Sequence, residues 1–110
     1  MKPLRWVGSA LADLRAFPPA ARRGGGHNLH LVQLGLEAED WKSMASIGAG
    51  VYEIRIHTAV EHRIFYVAKF DEAIYALHCF EKRSRRTSRR DLEVGRERYR
   101  TLLRERARGK

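Results

Sequence analysis

The sequence predicts an α+β domain: a small, mainly antiparallel sheet built from an N-terminal strand and a three-strand meander, with two helices ahead of the meander and a basic helix behind it. Three observations carry this prediction. Residues 51–83 are rich in β-branched and aromatic side chains and are interrupted only at 58–61 and 70–72, which is the pattern of three successive strands. Ahead of them Leu11, Leu14 and Phe17 recur at helical spacing, and behind them Leu92, Tyr99, Leu102 and Leu103 form a thin apolar stripe through a run of arginines. There is no internal repeat, and residues 1–110 suit a single domain.

Residues 2–7 (KPLRWV) read as a short strand, with Pro3 placed by its missing donor at the start or on an edge. Ser9 offers an N-cap oxygen to a helix over 10–17, which Pro18 stops. Pro19 suits the first turn of a second helix, predicted to reach about Leu34 and to end at Gly35. Inside it lies Gly24-Gly25-Gly26; at roughly 1 kcal/mol each relative to alanine, these glycines break the helix unless packing on the sheet overrides them. Residues 36–50 show no period and are predicted as a loop anchored by Trp41 and Met44.

In the first meander strand Tyr52, Ile54 and Ile56 alternate with Glu53, Arg55 and His57, so one face carries the ionisable set. On a solvated face that set amounts to a surface ion pair between Glu53 and Arg55. The second strand, 62–69, is apolar on both sides after Arg63, so something must cover each face of the sheet. The third, 73–80, gives way to Glu81-Lys82-Arg83, and Ser88 is positioned to cap a last helix over 89–106.

The net charge of +9 is unevenly spread. Residues 1–81 hold nine Lys/Arg and nine Asp/Glu, whereas 82–110 hold thirteen Lys/Arg and four acids, so the whole excess lies in the last 29 residues. Such a distribution is the footprint of a surface that seeks phosphate. No apolar run approaches the roughly 18 residues of a membrane span, and the N-terminus lacks a secretory apolar stretch, so a cytoplasmic location without membrane contact is expected. Cys79 is the only cysteine, which excludes an intrachain disulfide and predicts a buried structural thiol. His27 and His30, three apart without an acidic or thiolate neighbour in sequence, do not make a metal site, and no cofactor is expected.

The stretch GAGVYEIRIHTAVEHRIFYVAKF, followed by an apolar strand, a Phe-x-Lys-Arg exit and a basic helix, resembles the RelE/ParE toxin superfamily, and within it the phage-derived, HigB-like branch. Its Tyr-Glu-Ile-Arg and Arg-Ile-Phe-Tyr segments are the most specific parts. The resemblance implies a RelE-like fold and a toxin held inactive by a cognate antitoxin, a helix-turn-helix protein from the adjacent gene. It also implies ribosome-dependent cleavage of mRNA, with Arg55, Arg63, Lys82 and Arg83 at the phosphate-handling positions. Two departures stand out. Arg86-Thr87-Ser88 replaces the usual Lys-Thr-Pro, and Arg89, Arg90 and Asp91 stand where some RNA-cleaving members place a tyrosine or histidine. The second keeps open a ParE-like reading, in which the same fold poisons DNA gyrase and cuts nothing.

Metal-independent RNA cleavage by the 2′-hydroxyl needs a base, positive charge at the developing phosphorane and a donor for the leaving 5′-oxygen. Arg55 and Arg63 suit the second role, because a guanidinium donates in a fixed fork and stays charged. They are expected to act on the reaction with little bearing on the fold. Glu53 and His57 are the candidate bases, and Lys82 or Arg83 serves the leaving oxygen. Arg85, Arg86, Arg89, Arg90, Arg96, Arg98 and Arg100 are the candidate RNA-binding set. His62, beside a turn, is predicted exposed and His78 satisfied in the core. Trp6, Trp41, Phe65 and Tyr66 are stacking candidates that read better as core.

Overall fold

Alternation along the meander and apolar stripes on the helices require a sheet covered on both sides. The computed structural model, which describes residues 1–109, has that arrangement. Its elements are β1 (Leu4–Trp6), α1 (Ala10–Arg15), α2 (Pro19–Gln33), β2 (Trp41–Ser43), β3 (Val51–His57), β4 (Glu61–Val67), β5 (Ile74–Lys82) and α3 (Arg89–Arg108). The five strands form one sheet in the order β1-β5-β4-β3-β2, antiparallel except where β1 runs parallel to β5. The α+β class and its element order are as the sequence predicts. One strand was not foreseen: residues 41–43 pair with β3, so the predicted loop over 36–50 contains β2.

Each face of the sheet has its own core. Leu14 and Phe17, at the end of α1, and Ala21, Leu29 and Val32 of α2 pack on Ile54, Ile56, Ile64 and Cys79. On the opposite face Tyr99 and Leu102 of α3 pack on Phe65, Val67, Tyr75 and Phe80. The double-sided apolar character of β4 follows from this. A bulge beside Phe65 and Tyr66 pairs Phe65 with His78 and Tyr66 with Ala76, which leaves Leu77 as the extra residue.

α2 runs unbroken through its glycines because it lies against the sheet. A Cβ at Gly25 would stand 2.8 Å from Leu14 Cδ1 and 3.1 Å from Ile64 Cδ1, so only glycine permits this approach, whereas Gly26 faces open space. Gly95 does the same for α3, where a Cβ would meet Phe65 at 2.9 Å.

Several local expectations are corrected. The Ser9 side chain does not cap α1; its hydroxyl donates to Asp13 and accepts from Arg98 Nη2. Trp41 does not anchor the 36–50 segment: it is 41% exposed and sits edge-on to Tyr52, while Ile47 is the buried anchor. Leu103 faces solvent, so Gly95, Tyr99 and Leu102 make the buried stripe of α3. Ser88 does cap α3, accepting from the Asp91 N–H.

Candidate functional site

In an antiparallel sheet, directly opposed residues share a face. The register of β3, β4 and β5 therefore sets three rows on the α3 side: Glu53 with Phe65 and His78, Arg55 with Arg63 and Phe80, and His57 with Glu61 and Lys82. Five of the six candidate catalytic residues fall into these rows. The sixth, Arg83, lies one residue past β5, where its Nε donates to Glu81. β5 continues through Lys82, so the predicted exit is still strand and Lys82 stands opposite Glu61.

The face is ionic but not solvated, which corrects the surface-pair expectation. Glu53 is only 3% exposed and accepts from Arg55 Nε at 3.2 Å. Arg63, 6% exposed at its side chain, brings its Nε within 3.6 Å of the same carboxylate and donates from Nη1 to Glu61 Oε1 and the His62 carbonyl. Burying charge is tolerable only where it is paired, and here two guanidiniums face two carboxylates. Arg63 is thus part of the fold, contrary to the expectation of a strand arginine that matters to the reaction alone. Arg55, on the same row, keeps about a third of its side chain in solvent.

His57 lies at the open end of β3. Nδ1 contacts the Glu61 carboxylate and Nε2 the Asp40 carboxylate, and these bonds, Asp40 first, raise its pKa. With both nitrogens facing carboxylates the charged form of the ring is favoured. The bond from His57, followed by that from Arg63, in turn lowers the pKa of Glu61. Asp40 and Glu61 were not singled out in the sequence. Asp40 reaches the row because its carbonyl accepts from the Arg55 N–H just ahead of β2, so the missed strand is also why the residue was missed.

Beside these rows a cleft of about 660 Å³ lies along the end of β5, between α1 and the first turns of α3. Lys82, Arg83, Arg86, Arg90 and Arg98 line it, with Asp13, Glu81 and Asp91. The RNA-binding candidates divide accordingly. Arg86 and Arg90 enter the cleft as exposed side chains. Arg98 ties α3 to the Leu77 carbonyl and to Ser9. Arg96 donates to the Ser46 carbonyl and Arg100 pairs with Glu97. Arg85 and Arg89 are exposed outside the cleft lining.

His62 is buried against Phe17, not exposed, with ring centroids 4.4 Å apart. His78 is a core histidine as expected but only half satisfied: Nε2 bonds to Asp91 at 2.7 Å and the ring stacks on Phe80, while Nδ1 has no partner among the described residues; burial lowers its pKa against the pull of Asp91. Burial pushes the Cys79 thiol up to about 12, as suits a structural cysteine. His27 has an acidic neighbour in space, Glu39 at 3.9 Å, but among the described residues no group of three His, Cys, Asp or Glu side chains is arranged to hold a metal ion. Phe65 and Tyr66 are core residues. Trp6 is half-buried against the α1–α2 core.

Fold and site together define a small α+β module with its positive charge concentrated on one end of the sheet and on α3. Residues 12–100 match the family model for phage-derived protein Gp49-like, and the chain belongs to that family, which is associated with RelE-like toxins of toxin–antitoxin systems. No curated protein matches the chain. Among the described residues no helix is long and apolar enough to cross a membrane.

Proposed function

We propose that the chain is the toxin of a type II toxin–antitoxin pair, of the HigB-like branch of the RelE/ParE superfamily, and that it is a metal-independent, ribosome-dependent mRNA endonuclease of the cytoplasm. The observation that supports this best is the row of His57, Glu61 and Lys82 next to Arg55, at the partly exposed end of the sheet. The 2′-hydroxyl oxygen attacks the adjacent phosphorus, the bond to the 5′-oxygen breaks, and a 2′,3′-cyclic phosphate forms. Arg55 holds the phosphate oxygens through its exposed fork. Lys82 and Arg83 offset the charge that develops. The His57 imidazolium gives its proton to the leaving 5′-oxygen, and the exposed carboxylates of Asp40 and Glu61 are the acceptors for the 2′-hydroxyl proton. Glu53, buried and doubly paired, is too enclosed to be the base. Arg63 is a positioning residue that holds Glu53 and Glu61.

The experiment is a translation reaction supplied with purified protein and read by primer extension on the message. Wild type is expected to give new 3′ ends. Arg55→Ala is expected to lose about 100- to 1000-fold in rate while staying folded. An intact message at full translation overturns the reading.

A contact-only toxin acting on DNA gyrase is the second reading. It is favoured by the pairing of Glu53 with Arg63 and of His57 with two carboxylates, which leaves no uncommitted histidine on the face. Stalled gyrase–DNA complexes without RNA breaks support it. In either case a cognate helix-turn-helix antitoxin is the proposed partner.

A further inference from the structure

On the α2 side of the sheet, away from the ionic rows, a cavity of about 530 Å³ opens between the end of α2 and strands β2, β3 and β4. That is the size of a small-ligand site, about 300–1000 Å³. Val32, Ala68 and Ile74 give its lining aliphatic carbon, and Trp41, Tyr52 and Tyr66 give it aromatic rings. The Trp41 ring stands at 87° to Tyr52 with centroids 5.4 Å apart, and Tyr52 lies 5.9 Å from Tyr66. Tyr75 and Tyr99 spend their hydroxyls on the protein. Those of Tyr52 and Tyr66 have no protein partner among the described residues, although Tyr66 is only 5% exposed. The charge around these rings is negative. Glu37 accepts the Trp41 indole N–H at 3.0 Å. Burial, followed by the neighbouring Tyr52 and Glu37, pushes the Tyr66 phenol up to about 12, so the Glu37 carboxylate also acts on the buried hydroxyl. α2 ends within the lining, and its carbonyl end adds partial negative charge. The lysine of the lining, Lys2, has its ammonium held at 2.7 Å by the carbonyls of Ala68 and Phe70.

We propose that this cavity binds a small amphiphilic organic cation, an alkylated ammonium whose charge rests against Trp41, Tyr52 and Tyr66 beside Glu37 and whose apolar tail lies along Val32, Ala68 and Ile74. The faces of aromatic rings carry negative charge density and attract a cation, most strongly where water is excluded. Alkyl groups around the nitrogen suit such a wall, because they make contact with the rings without asking for hydrogen bonds. A neutral apolar ligand fills the aliphatic part but leaves Glu37 and the ring faces without a partner. An anion meets the carboxylate and the helix end with the wrong sign. Tyr52 and Tyr66 lie on the opposite face of the sheet from the row of His57, Glu61 and Lys82, so the inference stands whether or not the chain cuts RNA.

The test uses the full chain and three probes with the same tail: hexyltrimethylammonium, hexanol and hexanesulfonate. Binding is read by NMR from the Trp41 indole N–H and the amides of residues 34–36 and 66–68. Hexyltrimethylammonium is expected to shift these signals saturably, and the other two probes to bind about tenfold more weakly or less. Trp41→Ala, at a position 41% exposed, should weaken the cation by about tenfold, and Glu37→Gln by about threefold, with the rest of the spectrum unchanged. A cation that binds no better than hexanol means that apolar contact alone is recognised and overturns the proposal. Preference for the sulfonate overturns it, as does a cation affinity that neither substitution changes, or the lack of a saturable shift with any probe. Sedimentation of the free protein tests the remaining occupant: a dimer that Trp41→Ala dissolves means that a second copy covers the cavity, and the proposal falls. Message cleavage is not a readout here, so a protein that binds the cation and cuts no RNA keeps this inference and loses the nuclease reading.

Discussion

Replacing Arg63 by methionine removes a buried guanidinium that stands 3.6 Å from a carboxylate only 3% exposed. Breaking a buried pair by taking one partner away typically costs about 3–5 kcal/mol, since the remaining charge is left without compensation. Arg55 Nε still donates to Glu53 at 3.2 Å, which places this case at the lower end, about 3 kcal/mol. Against a total stability of about 5–15 kcal/mol that is a large fraction. At about 4–8 °C per kcal/mol for a domain near this size, the melting temperature should fall by roughly 12–24 °C. Arg55→Met, which takes away the 3.2 Å hydrogen bond to the buried Glu53 but from a side chain that keeps about a third of its surface in solvent, should also destabilise, by less than Arg63→Met. In the double variant Glu53→Gln/Arg63→Met the stranded charge is gone, so much of the loss should be recovered. Circular-dichroism melts of the four proteins, with urea titrations alongside, decide the matter. If Arg63→Met melts with the wild type, or the double variant melts below Arg63→Met, the buried-charge argument is wrong. Loss of toxicity in an Arg63 variant is informative about chemistry only at a temperature where that variant is folded.

The two neighbouring glycines of α2 should respond in opposite directions: Gly26→Ala, into open space, should gain up to about 1 kcal/mol in helix propensity, while Gly25→Ala, against Leu14 and Ile64, should lose about 1–3 kcal/mol to overpacking. Urea denaturation of both checks this. By NMR, His57 should titrate above the ordinary histidine value of about 6.5 and His78 below it. Because the folded pKa of His57 is raised, its contribution to stability is full below that ordinary value and fades as pH rises through the raised one. That of His78, whose pKa is lowered, is full above the ordinary value and is lost as pH falls. Asp40→Asn should bring the His57 titration down. The Glu72 carboxyl, held down to about 2 chiefly by its hydrogen bond from Arg106, should contribute above the ordinary carboxylate range and lose that contribution as pH falls towards 2. Carboxyl NMR of Arg106→Ala should show Glu72 titrating nearer the ordinary value.

Period and charge were enough to read the order of elements: the 2-residue alternation of β3, the helical spacing around Leu14 and Phe17, and the stripe through Tyr99 and Leu102 are local patterns that burial on one face imposes on any chain. The concentration of charge after residue 81 needs no folding to be seen. Pairing β3 with β4 sets Arg55 opposite Arg63. What lies over that face is not a local property. Glu53 is buried there with Arg63 beside it, where the sequence read as a solvated pair between Glu53 and Arg55. Phe17 covers His62 from the other side. The Gly24-Gly25-Gly26 run reads as a weak helix until Leu14 and Ile64 are seen to occupy the space of the missing side chains. β2 is three residues long and lacks a period of its own, so only its pairing with β3 makes it a strand and brings Asp40 to His57. The cleft, likewise, exists because β1 stops at Trp6 while β5 runs on to Lys82, a mismatch of lengths between two strands that are far apart in the chain and meet only in the folded sheet.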